Sequence, residues 1–304
     1  MRAIRGRTLV ASVLWLLSAA SASGQSPRLT AFADEFKGPE AAFHDPDQDV
    51  WFVTNINGLS VAKDGNGFIS LLSADGKVTK RHFVAGGRQG VTLHAPKGMA
   101  VTGDTLWVTD IDAVRGFNRK TGAPVATIDF TSRAARFLND IAVGPDGALY
   151  ITDTGIRYNS LGLAEHPGPD RVFRVGNGRE ISVSAEGDRL GRPNGIAWDP
   201  SASRFIIAPF GSDTVLAWKA GDNSPTPIAT GLGQFDGVIA LDDGRILVSS
   251  WATASIHILR EGRMTKLIEH VPSPADMGLD RKRNRVGIPL LGTHRVEFYD
   301  IGGK

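Results

Sequence analysis

The chain has 304 residues, with 34 Lys and Arg against 32 Asp and Glu, and no cysteine. The absence of cysteine excludes disulfides and a lipid-modified cysteine anchor, so stability has to come from an apolar core, for which a chain of this length is ample. Residues 1–24 hold three Arg and no acid; without them the balance is 31 basic to 32 acidic, which gives no electrostatic reason to bind nucleic acid or an anionic membrane.

Taken from the start, Arg2, Arg5 and Arg7 precede an apolar run from Leu9 to Ala20, and small residues follow, with cleavage expected after Ala22 or Gly24. This pattern predicts a secretory signal over residues 1–24, too short an apolar run for a comfortable membrane span, and therefore an exported protein, secreted or periplasmic. Residues 25–304 are then expected to form one domain, a monomer with no membrane association.

Six short hydrophobic strands open alike: Pro39-Glu40-Ala41-Ala42-Phe43, Pro96-Lys97-Gly98-Met99-Ala100, Leu138-Asn139-Asp140-Ile141-Ala142, Pro193-Asn194-Gly195-Ile196-Ala197, Phe235-Asp236-Gly237-Val238-Ile239 and Pro274-Ala275-Asp276-Met277-Gly278. About ten residues later each is followed by a second run rich in Val, Ile, Phe, Trp and Thr, such as Val50–Thr54 or Leu149–Thr152, with turn residues such as Pro145-Asp146-Gly147 between. A third strand and usually a fourth complete each unit, as in Ser255–Leu259 and Arg263–Glu269. Strand, tight turn, strand, recurring about every 40–45 residues, predicts an all-β chain: a six-bladed β-propeller of four-stranded antiparallel blades. The sixth unit ends at Tyr299 with three strands. Residues Arg28 to Glu35 precede the first opening with the spacing that a fourth strand shows before the sixth. The N-terminal strand is therefore expected to join the last blade, close the ring and remove an exposed edge.

The second position of the six openings reads Glu40, Lys97, Asn139, Asn194, Asp236, Ala275. In a propeller the innermost strand runs along the central channel, so residues at its start meet at one mouth. Two carboxylates and two amides in that register are hard oxygen donors suited to Ca²⁺, or to Mg²⁺, Mn²⁺ or Zn²⁺, and no thiol or His competes. Taken singly, an Asp or Asn before Gly is ordinary turn chemistry. Lys97 and Ala275 show that the repeat itself does not require an oxygen donor there. Lys97 and Asp276 stand at or next to the register as candidate substrate contacts. Asn55, Asp110 and Asp153 end second strands, where cap roles are expected. His94 precedes the second opening, and a local structural role is expected for it. The stretch from Arg157 to Arg171 reads as a lid or as a plain surface loop. The basic run Arg281-Lys282-Arg283 reads as a solvated turn.

These residues resemble the six-bladed propellers of the senescence marker protein, gluconolactonase and luciferin-regenerating-enzyme family, over essentially all of residues 25–304. The resemblance implies a catalytic divalent metal held by Glu40 at the first blade opening, Asn139 in Leu138-Asn139-Asp140, Asn194 in Pro193-Asn194-Gly195 and Asp236 in Phe235-Asp236-Gly237. It also implies that Asp236 serves as base or nucleophile. Glu40-Ala41-Ala42 stands where the family usually has Glu-Gly-Pro. Phe137 stands where gluconolactonases often carry Arg, although Arg136 is adjacent. Both departures touch substrate recognition more than metal binding.

The expected function is hydrolysis of a small lactone or ester, the metal polarising the carbonyl and Asp236 assisting proton transfer. The alternative is a non-enzymatic ligand- or protein-binding propeller with a structural Ca²⁺. A strictosidine-synthase-like condensing propeller would need a channel acid without a metal, and the Asn139/Asn194 pair argues against it.

Overall fold

The computed structural model describes residues 26–159, 161 and 163–302. The proposed leader, residues 1–24, lies outside the described residues. Among the described residues there are six four-stranded sheets and one two-stranded hairpin, all antiparallel, with helix limited to three short 3₁₀ turns.

The first blade is built from Pro39–Asp45, Val50–Asn55, Phe68–Ser73 and Val78–Ala85, from inside to outside. The second uses Pro96–Thr102, Thr105–Asp110, Ala113–Asn118 and Pro124–Asp129. The third uses Leu138–Val143, Leu149–Asp153, Arg171–Val175 and Ile181–Glu186, and its insertion carries the hairpin Arg157–Tyr158 and Ala164–Glu165. The fourth uses Pro193–Asp199, Arg204–Pro209, Thr214–Trp218 and Thr226–Thr230. The fifth uses Phe235–Ala240, Ile246–Ser250, Ser255–Arg260 and Arg263–Glu269. Five of the six inner strands begin at the residue that opens the sequence pattern; the sixth is shortened to Gly278–Asp280, with Pro274 reduced to an isolated bridge to Leu290.

The sixth blade continues through Arg285–Leu290 and Arg295–Asp300 and takes its outer strand, Arg28–Ala33, from the N-terminus. The two ends of the chain pair with Leu29 opposite Tyr299 and Ala31 opposite Phe298. Arg28 bridges to Asp300 at 3.3 Å and Arg295 to Asp34 at 2.7 Å. The expected closure is thus present, and the outward edge of Arg295–Asp300 is covered.

The core sits between blades. Each junction is filled by its own apolar cluster, for example Trp107, Phe130, Leu138 and Phe173 between the second and third blades, and Trp51, Val53, Val296 and Phe298 between the sixth and first. The Trp51 and Phe298 rings meet edge to face with centroids 5.2 Å apart.

Polar staples add to this on the hairpin face. Arg119 of the second blade reaches Asp45 and Asp47 of the first at 2.8 and 2.7 Å. Arg283 of the sixth blade grips Asp49 of the first with both terminal nitrogens at 2.6 and 2.7 Å, and Asp280 at 2.6 Å. Arg281 pairs with Asp242 of the fifth blade. The run Arg281-Lys282-Arg283 therefore ties blades together, a role invisible in sequence because its acidic partners lie on neighbouring blades.

Candidate metal centre and active site

Five of the six inner strands carry a register shift just after they begin; the short sixth, Gly278–Asp280, pairs without one. In the first blade Pro39 faces Asn55 but Ala42 faces Val53, so one extra residue is accommodated; the same happens between Pro96 and Met99, Leu138 and Ile141, Pro193 and Gly195, and Phe235 and Val238. A β-bulge bends the strand locally and redirects a side chain. Here the bulges fall on the register residues Glu40, Lys97, Asn139, Asn194 and Asp236. All five line one cavity of about 740 Å³ at the mouth where the inner strands begin.

The neighbouring position explains why the inner strands approach so closely. A Cβ on Gly195 would lie 2.3 Å from the Asp236 carbonyl oxygen, and one on Gly98 would lie 2.3 Å from Asp140 Oδ1. Hydroxyls in the second strands then link the blades. Thr152 Oγ1 accepts from Asp140 N at 2.9 Å and donates to the Asn194 carbonyl at 2.6 Å. Thr109 donates to the Asn139 carbonyl, and Ser249 accepts from Gly237 N and donates to the Ala275 carbonyl. Sequence reasoning passed over these hydroxyls, although Thr54, Thr109, Thr152 and Ser249 form a column of their own in the repeat.

Asn55, Asp110 and Asp153, one residue further, act as caps. Their side-chain oxygens accept from Lys37 N, Ala95 N and Phe137 N, each at 2.9 Å, and so hold the loops that deliver Glu40, Lys97 and Asn139. His94 has the expected local role, with Nδ1 accepting from Gly65 N at 3.0 Å.

The donor set is buried: Glu40 is 5 % exposed, Asn139 4 %, Asn194 6 % and Asp236 4 %. Glu40 Oε2, Asn194 Oδ1 and Asp236 Oδ1 have no hydrogen-bond partner despite that burial. A buried polar oxygen without a partner is costly, and three on one cavity make a coordination set for a hard cation. Burial and the Asp140 charge push Asp236 up to about 8, an effect eased by the nearby Trp251 and Asn194 side chains. Burial, followed by the Asp236 charge, holds Glu40 well above the usual carboxylate range, and Lys97 opposes this. The two acids are therefore short of positive charge.

Lys97 is 1 % exposed. Its Nζ donates to Ala95 O at 3.0 Å and Ser60 O at 3.2 Å and lies 4.4 Å from the centre of the Phe137 ring. Burial pushes its pKa down. Asp276, the other expected substrate contact, is not in this cavity. It stands one residue past the register, in an isolated bridge to Ala41 just before the short sixth inner strand, and lines a second cavity of about 530 Å³ at the opposite end of the channel, as does Asp140 one residue past the register of the third blade. Lys97 and Asp276 are thus not brought together.

The Arg157–Arg171 insertion is partly at the mouth: Tyr158 lines the site cavity. Trp251 was not singled out from the sequence. It also lines the cavity, edge to face with Phe210, and its indole Nε1 is buried without a partner. Arg136 donates to the Gly168 carbonyl at 3.3 Å. A second group with the makings of a metal site, His44, Asp49 and Asp280, lies on the opposite face, where Arg283 already neutralises both acids.

The family model for the SMP-30/Gluconolactonase/LRE-like region matches residues 65–278. The chain belongs to that family. No curated protein matches it in sequence. Among solved structures, a gluconolactonase from Xanthomonas campestris superposes with a TM-score of 0.66 at 17% identity, covering 91% of this chain and 95% of that one. Virginiamycin B lyase from Staphylococcus aureus gives 0.60 at 12% identity, covering 90% and 99%. A Bacteroides thetaiotaomicron protein of unknown function gives 0.63 at 13% identity, covering 89% and 72%. At such identities these likenesses establish a shared propeller fold; family membership rests on the sequence match.

Proposed function

We propose that this SMP-30/gluconolactonase-like propeller is an exported hydrolase of small lactones or esters that depends on a divalent cation, Ca²⁺ by preference, held by Glu40, Asn139, Asn194 and Asp236. The observation that carries the reading is the set of three buried, partnerless oxygens on Glu40, Asn194 and Asp236 that line one open cavity. When bound, the cation supplies a Lewis acid for the substrate carbonyl and charge for the developing oxyanion. The chemistry of the Xanthomonas relative, a gluconolactonase, is in keeping with this.

The protein's own groups have separable parts. Asp236 takes a proton from the attacking water as its oxygen bonds to the carbonyl carbon. The acyl carbon–oxygen bond then breaks, and that proton passes to the departing alkoxide oxygen, giving a hydroxy acid from a lactone or an alcohol and an acid from an ester. Trp251 Nε1 offers a donor to the substrate. Lys97, pinned by two carbonyls, keeps a positive charge beside Glu40 and fixes the Phe137 ring.

The alternative, a binding propeller with a structural Ca²⁺, calls for a capped and fully coordinated ion. The open cavity above the donors favours chemistry instead. Metal analysis of purified protein, followed by a lactone and aryl-ester panel with and without chelator, tests the proposal. Turnover that chelator abolishes and Ca²⁺ restores is expected; turnover indifferent to chelator, or none with metal bound, counts against it.

A further inference from the structure

We infer that the site selects substrates with an apolar substituent, an alkyl chain or aryl ring attached to the lactone or ester, over polyhydroxylated sugar lactones. The inference rests on the hydrolase reading of the same site and concerns what surrounds the reacting carbonyl.

The wall above the donor set is apolar: Ile56, Leu59, Phe137, Ile156, Phe210 and Leu291, joined by the faces of Trp251 and Tyr158. Four of the polar side chains on that wall are committed to the protein itself, while Lys37 and Ser60 stand at its edge. Asn57 Nδ2 donates to Asn66 O at 2.9 Å. Thr154 Oγ1 donates to Pro193 O at 2.9 Å and accepts from Asn139 Nδ2 at 3.2 Å. His294 Nδ1 accepts from Gly38 N at 3.0 Å, and Lys97 is held by two carbonyls.

A sugar lactone carries several hydroxyls, each of which loses water on entry and needs a replacement partner; a wall with few free partners beyond the donor set disfavours it. The Trp251 N–H, beside the Asp236 carboxyl, is a single donor and suits one acceptor, as a lactone carbonyl or ring oxygen presents. The cavity of about 740 Å³ exceeds what the lactone ring alone requires and leaves space for a substituent. Leu59, 70 % exposed, and Tyr158, 40 % exposed, extend the apolar surface outward from the donors, so a chain leaving the carbonyl passes over them.

The test uses the full mature chain loaded with Ca²⁺ and two matched ligand series. γ-Lactams bearing alkyl chains of increasing length, and gluconolactam, bind without turnover and are followed by tryptophan fluorescence; the corresponding lactones report kcat/KM. Lactam affinity and lactone kcat/KM are expected to rise together by roughly fourfold per methylene over the first few carbons, with gluconolactam weaker than every alkyl lactam. Chain-dependent lactam binding without turnover of any lactone would remove the hydrolase reading and leave the apolar selectivity standing. Gluconolactam binding more tightly than the alkyl lactams, or no lactam binding at all, overturns the inference. Leu291→Asn is expected to flatten the chain-length dependence. Leu59→Asn, at an exposed position where folding is not threatened, makes the same test independently, and an unchanged slope in both variants also overturns the inference.

Discussion

The Thr152 hydroxyl of the third blade donates to the backbone carbonyl of Asn194 in the fourth at 2.6 Å, while accepting the Asp140 amide proton of its own blade at 2.9 Å. One oxygen thus sets the spacing of two inner strands, and the side chains of Asn139 and Asn194 inherit that spacing. Thr152→Val keeps the shape and removes the hydroxyl, leaving a buried amide and a buried carbonyl short of a partner. A stability loss of about 1–3 kcal/mol is expected, with weaker Ca²⁺ binding, whereas Thr152→Ser retains both. Thermal melts and calcium titration of the two variants check this.

Asp236 provides a sharper separation of stability from function. Asp236→Asn removes a buried ionisable group whose charged form has no neutralising partner in the metal-free protein. The variant is expected to fold, to be at least as stable as the parent in chelator, and to lose more Ca²⁺ affinity than the roughly 10–100-fold typical of residues behind a metal's ligands. Chelated melts and isothermal titration distinguish this from a structural role, which predicts a destabilised variant.

The same carboxylates make metal-free stability depend on pH. Unfolded carboxylates titrate near ~4; in the fold burial pushes Asp236 up to about 8 and Asp140 to about 7. Between those values the folded protein holds protons that the unfolded chain has released. Stability from these groups is present in full below about pH 4 and is lost as pH rises through about 7–8. A bound cation favours the ionised forms. The melting temperature of chelated protein is therefore expected to fall from about pH 5 to about pH 9, and the gap to the Ca²⁺-loaded protein to widen. A gap independent of pH contradicts this.

Closure of the ring depends on Phe298, fully buried between the first and sixth blades and paired through its backbone with Ala31. Phe298→Ala is expected to cost about 3–5 kcal/mol. Removal of residues 26–33 should expose the edge of Arg295–Asp300 and promote association between chains. Denaturant unfolding and light scattering measure the two effects.

Much of this was legible in the sequence because a propeller repeats. The six repeated openings, with runs rich in Val, Ile, Phe, Trp and Thr and turn residues at fixed offsets, placed the inner strands, five of them to the first residue, and the matched spacing of Arg28 and Arg263 exposed the closure. The column Glu40, Asn139, Asn194, Asp236 was visible for the same reason: a repeat assigns equivalent places, and departures from its consensus stand out. Sequence did not reveal what each place faces. A bulge turns Glu40 toward one mouth, and a single step along the sixth opening sends Asp276 to the other, since consecutive side chains on extended backbone point opposite ways. Nor did it reveal contacts between blades, in which Arg283 meets Asp49 across 234 positions, or the wall that Trp251 and Phe210 contribute from different blades. Register is local and is written in the chain; which side chains share a cavity depends on ring closure, and only the folded ring decides it.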